Sequence, residues 1–264
     1  MKTLARDDAM QMLNKVPEVT LYFWIIKIMA TTVGETGADF LNFNLHFGLT
    51  GTSLVMASLL AVFLFLQLRA TQYVPWLYWM NVVLISIVGT LITDNLVDNL
   101  GVTLETTTTV FSMALLATFA LWHASEKTLS IHTIFTVRRE LFYWATILST
   151  FALGTATGDL VAETMKIGYA HSALMFGALI AAIATAHYGF KANGVLSFWI
   201  AYVLTRPLGA SCGDWLSQPI KNGGLGLDTV TINLVFLATM LSLVLFLSVT
   251  RKDVTPRTAR FQRP

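Results

Sequence analysis

Long apolar runs separated by short polar segments dominate this chain, and an acid recurs near the far end of every second run. A hydrocarbon core of ~30 Å needs about 20 apolar residues per helix, and eight runs meet that length, at roughly 18–42, 46–68, 76–100, 104–124, 139–163, 168–189, 195–217 and 228–249. The two-residue alternation of a barrel strand is absent, and an unpaired backbone group in lipid is costly, so the runs predict α-helices. The expected fold is all-α, with eight transmembrane helices.

The odd-numbered runs share one phrase: aromatic-Trp, nine residues, Gly, three residues, a small residue, then Asp. The copies are Phe23-Trp24…Gly34…Ala38-Asp39, Tyr78-Trp79…Gly89…Thr93-Asp94, Tyr143-Trp144…Gly154…Gly158-Asp159 and Phe198-Trp199…Gly209…Gly213-Asp214. A recurrence of this length marks an array of one supersecondary unit. Each unit is an A helix bearing the phrase and a returning B helix, giving repeats 18–68, 76–124, 139–189 and 195–249 within a single integral membrane domain. Because each unit crosses twice, the four are parallel and related by an axis along the membrane normal. The longer middle step between the Trp residues favours two halves, 1–125 and 126–264, over an even pseudo-fourfold ring.

Composition agrees with this class. Hydrophobic residues make up 55% of the chain and charged residues 12%, about half the share usual in soluble domains. Of the 17 Lys and Arg, 13 fall in the two terminal segments or in the loops on their side, among them Lys2, Arg6, Lys15, Arg69, Lys127, Arg138, Arg139 and Lys191. The positive-inside rule therefore predicts that both termini are cytoplasmic. Asp7 and Asp8 interrupt the N-terminal arm, so the first run reads as an uncleaved helix rather than a signal peptide. Residues 250–264 read as a basic cytoplasmic tail suited to anionic headgroups. Cys212 is the sole cysteine, which rules out an intramolecular disulfide and a Cys-based metal cluster.

Within each phrase the Gly and the small residue stand four apart, a spacing that lets helix backbones approach closely in lipid. The A helices are therefore expected to meet on these faces and bring Asp39, Asp94, Asp159 and Asp214 to one depth. A charge inside a span costs several kcal/mol unless paired or hydrated, and four at one repeat position point to a hydrated or ion-binding site. Glu35 joins this set, and Asp98 and Glu163 follow one helical turn beyond Asp94 and Asp159. Only Lys27 and Arg206 stand against these seven acids, so a cation or protons would complete the balance; Lys27 also has a snorkelling alternative. The Trp residues either anchor helix ends at the headgroups or line a central path. Arg206-Pro207 makes the seventh run the expected site of a broken helix, with Arg206 as a fixed counter-ion to the aspartates. His171 could approach the acids, whereas His46, His123, His132 and His187 read as packing residues. Glu105 and Thr106–Thr109 either line a vestibule or bond back to their own helix.

The Trp-bearing two-span unit, present four times across about residues 15–252, resembles a family of bacterial membrane proteins built of four tandem repeats, each with two transmembrane segments and a Trp. The resemblance implies this architecture and a bacterial inner membrane; it carries no activity. From the residues, the expected function is transport of a small cation, a divalent metal exchanged for protons, with the four aspartates as its ligands and Asp98, Glu163, Arg206 and Lys27 as proton-coupling or counter-ion groups. Carboxylate oxygens suit hard cations such as Mg²⁺, Ca²⁺ or Mn²⁺. A pseudo-fourfold cation channel is the alternative. An intramembrane aspartyl enzyme is a weaker one: Gly158-Asp159 and Gly213-Asp214 fit, but Ala156 and Ser211 stand where a further Gly is wanted. The expected partners are the lipid bilayer, the cation and protons. No resident cofactor, enzymatic activity or nucleic acid is expected, and the oligomeric state is left open.

Overall fold

The structure, a computed structural model, describes residues 14–44 and 48–254. His46, the first 13 residues and the basic positions Arg257, Arg260 and Arg263 lie outside the described residues. Eight long helices run through the described chain: α1 (Leu21–Asp39), α2 (Gly48–Arg69), α3 (Pro75–Asp94), α4 (Leu104–Glu126), α5 (Val137–Asp159), α6 (Tyr169–Phe190), α7 (Gly194–Ser217) and α8 (Thr229–Thr250). No strand occurs among the described residues.

Local chemistry sets the helix boundaries. Thr20, Thr103, Thr136, Asn193 and Asp228 each accept a backbone N–H at a helix start. Pro75 opens α3, where its missing N–H costs nothing. The returning helices α4, α6 and α8 end on Lys127, Lys191 and Arg251 with φ of 58°, 55° and 53°. These left-handed caps place basic side chains at the negative helix ends. The starts of the A helices, residues 14–20 and residues 251–254 share one face: Lys15 N–H donates to the Ile134 carbonyl and Glu18 N–H to the Asp253 carbonyl. We call it the terminal face.

Seven of the eight helices, α2 through α8, are long and apolar enough to cross a membrane. The exception is α1, which carries Lys27, Glu35 and two runs of Thr and Gly. Its interior position explains the exemption, since Phe23, Ile26, Lys27 and every residue from Ala30 to Ala38 are buried against protein. The outer helices show the opposite pattern. Leu54, Val62 and Phe65 on α2, Met113 and Leu116 on α4, Leu174 on α6 and Leu234 and Leu241 on α8 are exposed. An apolar belt of this extent suits lipid rather than water.

The four A helices close into a ring: α1 packs on α3, α3 on α5, α5 on α7 and α7 on α1. Each B helix packs outside the ring on the A helix of the next unit: α2 on α3, α4 on α5, α6 on α7 and α8 on α1. The junctions repeat residue by residue. A Cβ added to Gly34, Gly89, Gly154 or Gly209 would overlap Ser86, Phe151, Arg206 or Thr31, each of which stands three residues before the next unit's Gly. The aromatic belt obeys the same rule, with Phe23 on Trp79 (5.6 Å), Tyr78 on Trp144 (5.5 Å), Tyr143 on Trp199 (6.3 Å) and Phe198 on Trp24 (5.7 Å). All four junctions are equivalent, so the architecture is a pseudo-fourfold ring. The expected division into two halves is incorrect, because the extra residues between the second and third units are absorbed by the loop after α4.

Two other expectations also change. Trp79, Trp144 and Trp199 are buried between units, and only Trp24 is half-buried, so headgroup anchoring does not describe the set. The seventh run is not broken: α7 is continuous from Gly194 to Ser217. The Thr31 hydroxyl donates to the Thr205 carbonyl at 3.2 Å, and the Pro207 ring seats against Gly154. Gly154 on α5 thus leaves room for the Pro207 ring.

This packing makes Gly89→Ala costly. The new Cβ would lie 2.6 Å from Phe151 Cβ and 3.1 Å from the Ala152 backbone nitrogen. Overpacking of this kind costs about 1–3 kcal/mol, so the variant's thermal midpoint in detergent should fall. Gly189→Ala, with nothing within 4 Å, should match the parent.

Candidate functional site

Along each A helix the residue after the repeat Gly and the repeat Asp are one turn apart and share a face. The first of these layers holds Glu35, Thr90, Thr155 and Ala210. Arg206, fully buried, reaches into this layer from α7. Its Nη2 donates to Glu35 Oε2 at 2.8 Å, to Thr155 Oγ1 at 2.6 Å and to Thr90 Oγ1, and its Nη1 to the Thr31 carbonyl at 3.4 Å. The guanidinium therefore binds all three other A helices and closes the axis. Its direct ion-pair partner is Glu35, whereas the sequence pointed to the aspartates.

One turn further from the terminal face lie the four aspartates. Asp39, Asp94 and Asp159 are half-buried and Asp214 is buried. Every neighbouring pair around the ring interacts electrostatically, and all four also feel Glu35. The four are thus near enough to one another to interact around the ring. Among the described residues, none of the four carboxylates accepts a hydrogen bond or forms an ion pair. Nor does any group of three or more His, Cys, Asp and Glu side chains among the described residues stand close enough to hold one metal ion. The four carboxylates thus stand in a ring without protein donors among the described residues and form no preassembled chelate.

The remaining predicted groups divide. Asp98 is exposed, yet within electrostatic reach of Asp39 and Asp94. Glu163 is exposed and accepts the Tyr169 hydroxyl at 2.8 Å. Lys27 does not snorkel: it is fully buried, its Nζ 4.1 Å from the Phe151 ring centre and 4.3 Å from that of Tyr202, without a hydrogen-bond partner. The Arg206 guanidinium acts on it electrostatically. His171 is exposed at the start of α6. Thr107 and Thr109 donate to carbonyls of their own segment, the non-functional alternative for the threonine stripe. A cavity of ≈ 620 Å³ near the terminal face, bordered by Trp24, Ile131, Ile183 and Phe198, contains none of the predicted site residues.

Sequence reasoning missed two features here. Directly after Asp39, Asp94 and Asp159 the helix loosens into a π turn, at Phe40–Asn44, Asn95–Asn99 and Leu160–Thr164. Such turns cluster at functional sites. In the fourth unit α7 instead ends at Ser217, just before Pro219. The second feature is a chain of tyrosines below Lys27: Tyr78 and Tyr143 share a 2.5 Å hydrogen bond between hydroxyls, and Tyr73 donates to Asp253 Oδ2 at 2.6 Å. The repeat phrase already held a signal for the first of these pairs, because its aromatic position is Tyr in two copies and Phe in two.

An apolar, all-helical ring of four repeats with an acidic crown is the build of a membrane-embedded protein. Family comparison agrees with the fourfold repeat: residues 22–73, 77–128, 142–193 and 197–253 each match the model described as Repeat of Unknown Function (DUF347). The chain belongs to this family. No curated protein and no solved structure matches it.

Proposed function

We propose that this protein is a proton-coupled transporter of a small cation in the bacterial inner membrane, with both termini cytoplasmic and Asp39, Asp94, Asp159 and Asp214 as the ion site facing the opposite side. The observation that carries this reading is the unpaired quartet. Four carboxylates at one level, mutually repelling and without protein donors, leave water and a cation to balance them. Because the side chains are not gathered into a chelate, the ion keeps much of its hydration shell, as Mg²⁺ in particular prefers. Glu35 and Arg206 form the barrier on the axis, and Asp98 and Glu163 extend the acidic entrance. A simple channel fits less well, since a fixed guanidinium fills the position an ion would have to cross.

The test is flux in sealed vesicles holding the purified protein, against Mg²⁺, Ca²⁺ and Mn²⁺, with and without a pH gradient. Asp39→Asn/Asp159→Asn should reduce cation flux by about tenfold or more, the effect of losing about 1.4 kcal/mol of ion stabilisation. Unchanged flux in that variant would end the proposal.

A further inference from the structure

Below the Arg206 barrier the ring interior contains a second set of polar groups that the crown does not use. Lys27 Nζ and the Tyr202 hydroxyl are both buried without a hydrogen-bond partner, although the Lys27 amine lies against the Tyr202 ring. The Tyr202 hydroxyl interacts electrostatically with those of Tyr78 and Tyr143, which bond to each other. The rings of Tyr78 and Tyr73 are 5.8 Å apart, and Tyr73 ends the series on Asp253 at the terminal face. A lone Lys in a dry, aromatic interior is expensive. A phenol hydroxyl can relay a proton, because it can accept one on its oxygen while giving up its own.

We propose that Lys27, Tyr202, Tyr143, Tyr78, Tyr73 and Asp253 form a proton route from the occluded centre of the ring to the terminal face. The proposal rests on the transport reading, to which it adds the path of the coupling ion. Lys27 accepts a proton on Nζ when the barrier admits one from Glu35, then releases it to Tyr202. Where two groups on the route do not bond directly, bridging water would close the gap, with the unpaired Tyr202 hydroxyl as one of its anchors. The charged and titratable groups against Lys27 are Arg206 and Tyr202, both from α7. At the exit Asp253 faces Tyr73 and Arg251.

Phe substitutions test this, because they remove hydroxyls and keep the rings. Tyr202→Phe deletes an unpartnered buried hydroxyl, so a merely structural role predicts equal or higher thermal stability and unchanged flux. In vesicles loaded with a pH-sensitive dye, Tyr202→Phe and Tyr78→Phe should slow proton movement by about a hundredfold, a usual contribution of a positioned proton-transfer group. Binding of Mg²⁺, Ca²⁺ or Mn²⁺, followed by calorimetry on the detergent-solubilised protein, should be unchanged. Proton movement at the parent rate in both variants overturns the route while leaving cation transport standing. A parent protein that moves protons through a Tyr-sensitive path but no cation overturns the transport reading and keeps the route. A parent that moves no protons under either gradient overturns the route.

Discussion

Arg206→Met is expected to be among the most destabilising single substitutions in this protein, at about 3–5 kcal/mol, the range for removing one member of a buried ion pair. The penalty arises less from the lost attraction than from what remains. Glu35 would be left buried, beside four other acids, with no cation to answer it. Thr90 and Thr155 would lose the donor that ties α3 and α5 to α7. The companion variant Arg206→Met/Glu35→Gln removes both charges and should recover most of the stability. Thermal or urea unfolding in detergent, read by circular dichroism, would check this. A single variant as stable as the double would show that Glu35 is answered by something other than Arg206.

Most of this architecture could be read from the chain, for a particular reason. The A helices touch their neighbours at every unit junction through the same few positions, so small residues at Gly34, Gly89, Gly154 and Gly209 had to recur in register. A recurring constraint is visible without an alignment. The mutual nearness of the aspartates followed from the same register. What remained hidden were features that occur once or depend on direction in space. Arg206 breaks the repeat, and nothing in a one-dimensional pattern says that it reaches Glu35, 171 positions away. Lys27 near a helix start reads equally as a snorkelling residue, and only the rings of Phe151 and Tyr202, from two other units, show that it is enclosed. The π turns have no compositional signature: FLNFN, NLVDN and LVAET share little beyond length. Spacing also misled once, since the longer middle step seemed to divide the ring in two. Loop length records where chain was inserted, whereas the helix faces decide what packs on what.

The terminal face supplies the second large effect, and sequence reasoning assigned it only loop charges. Lys15 looked like one more basic residue on the cytoplasmic side. Instead its Nζ sits 2.7 Å from Glu140 Oε2 and 3.1 Å from the Leu68 carbonyl, while Gln67 Nε2 donates to the other Glu140 oxygen at 3.0 Å. The pair is almost dry, with side-chain exposures of 7% for Lys15 and 1% for Glu140. Glu140→Ala should therefore cost about 3–5 kcal/mol by leaving Lys15 buried and unanswered. It should also loosen residues 14–20, which Lys15 helps hold against the loop before α5, so hydrogen exchange there should rise well before global unfolding. Glu126 is the informative contrast. It pairs with Arg139 at 2.8 Å and with Arg138 at 3.6 Å on the same face; Glu126 and Arg139 keep 14% and 18% of their side chains exposed and Arg138 69%, so water reaches the groups left behind. Glu126→Ala should change stability by about 0–1 kcal/mol. Two carboxylates a few residues from one loop, each paired with a base, are thus expected to differ severalfold in cost because one pair is dry and the other wet.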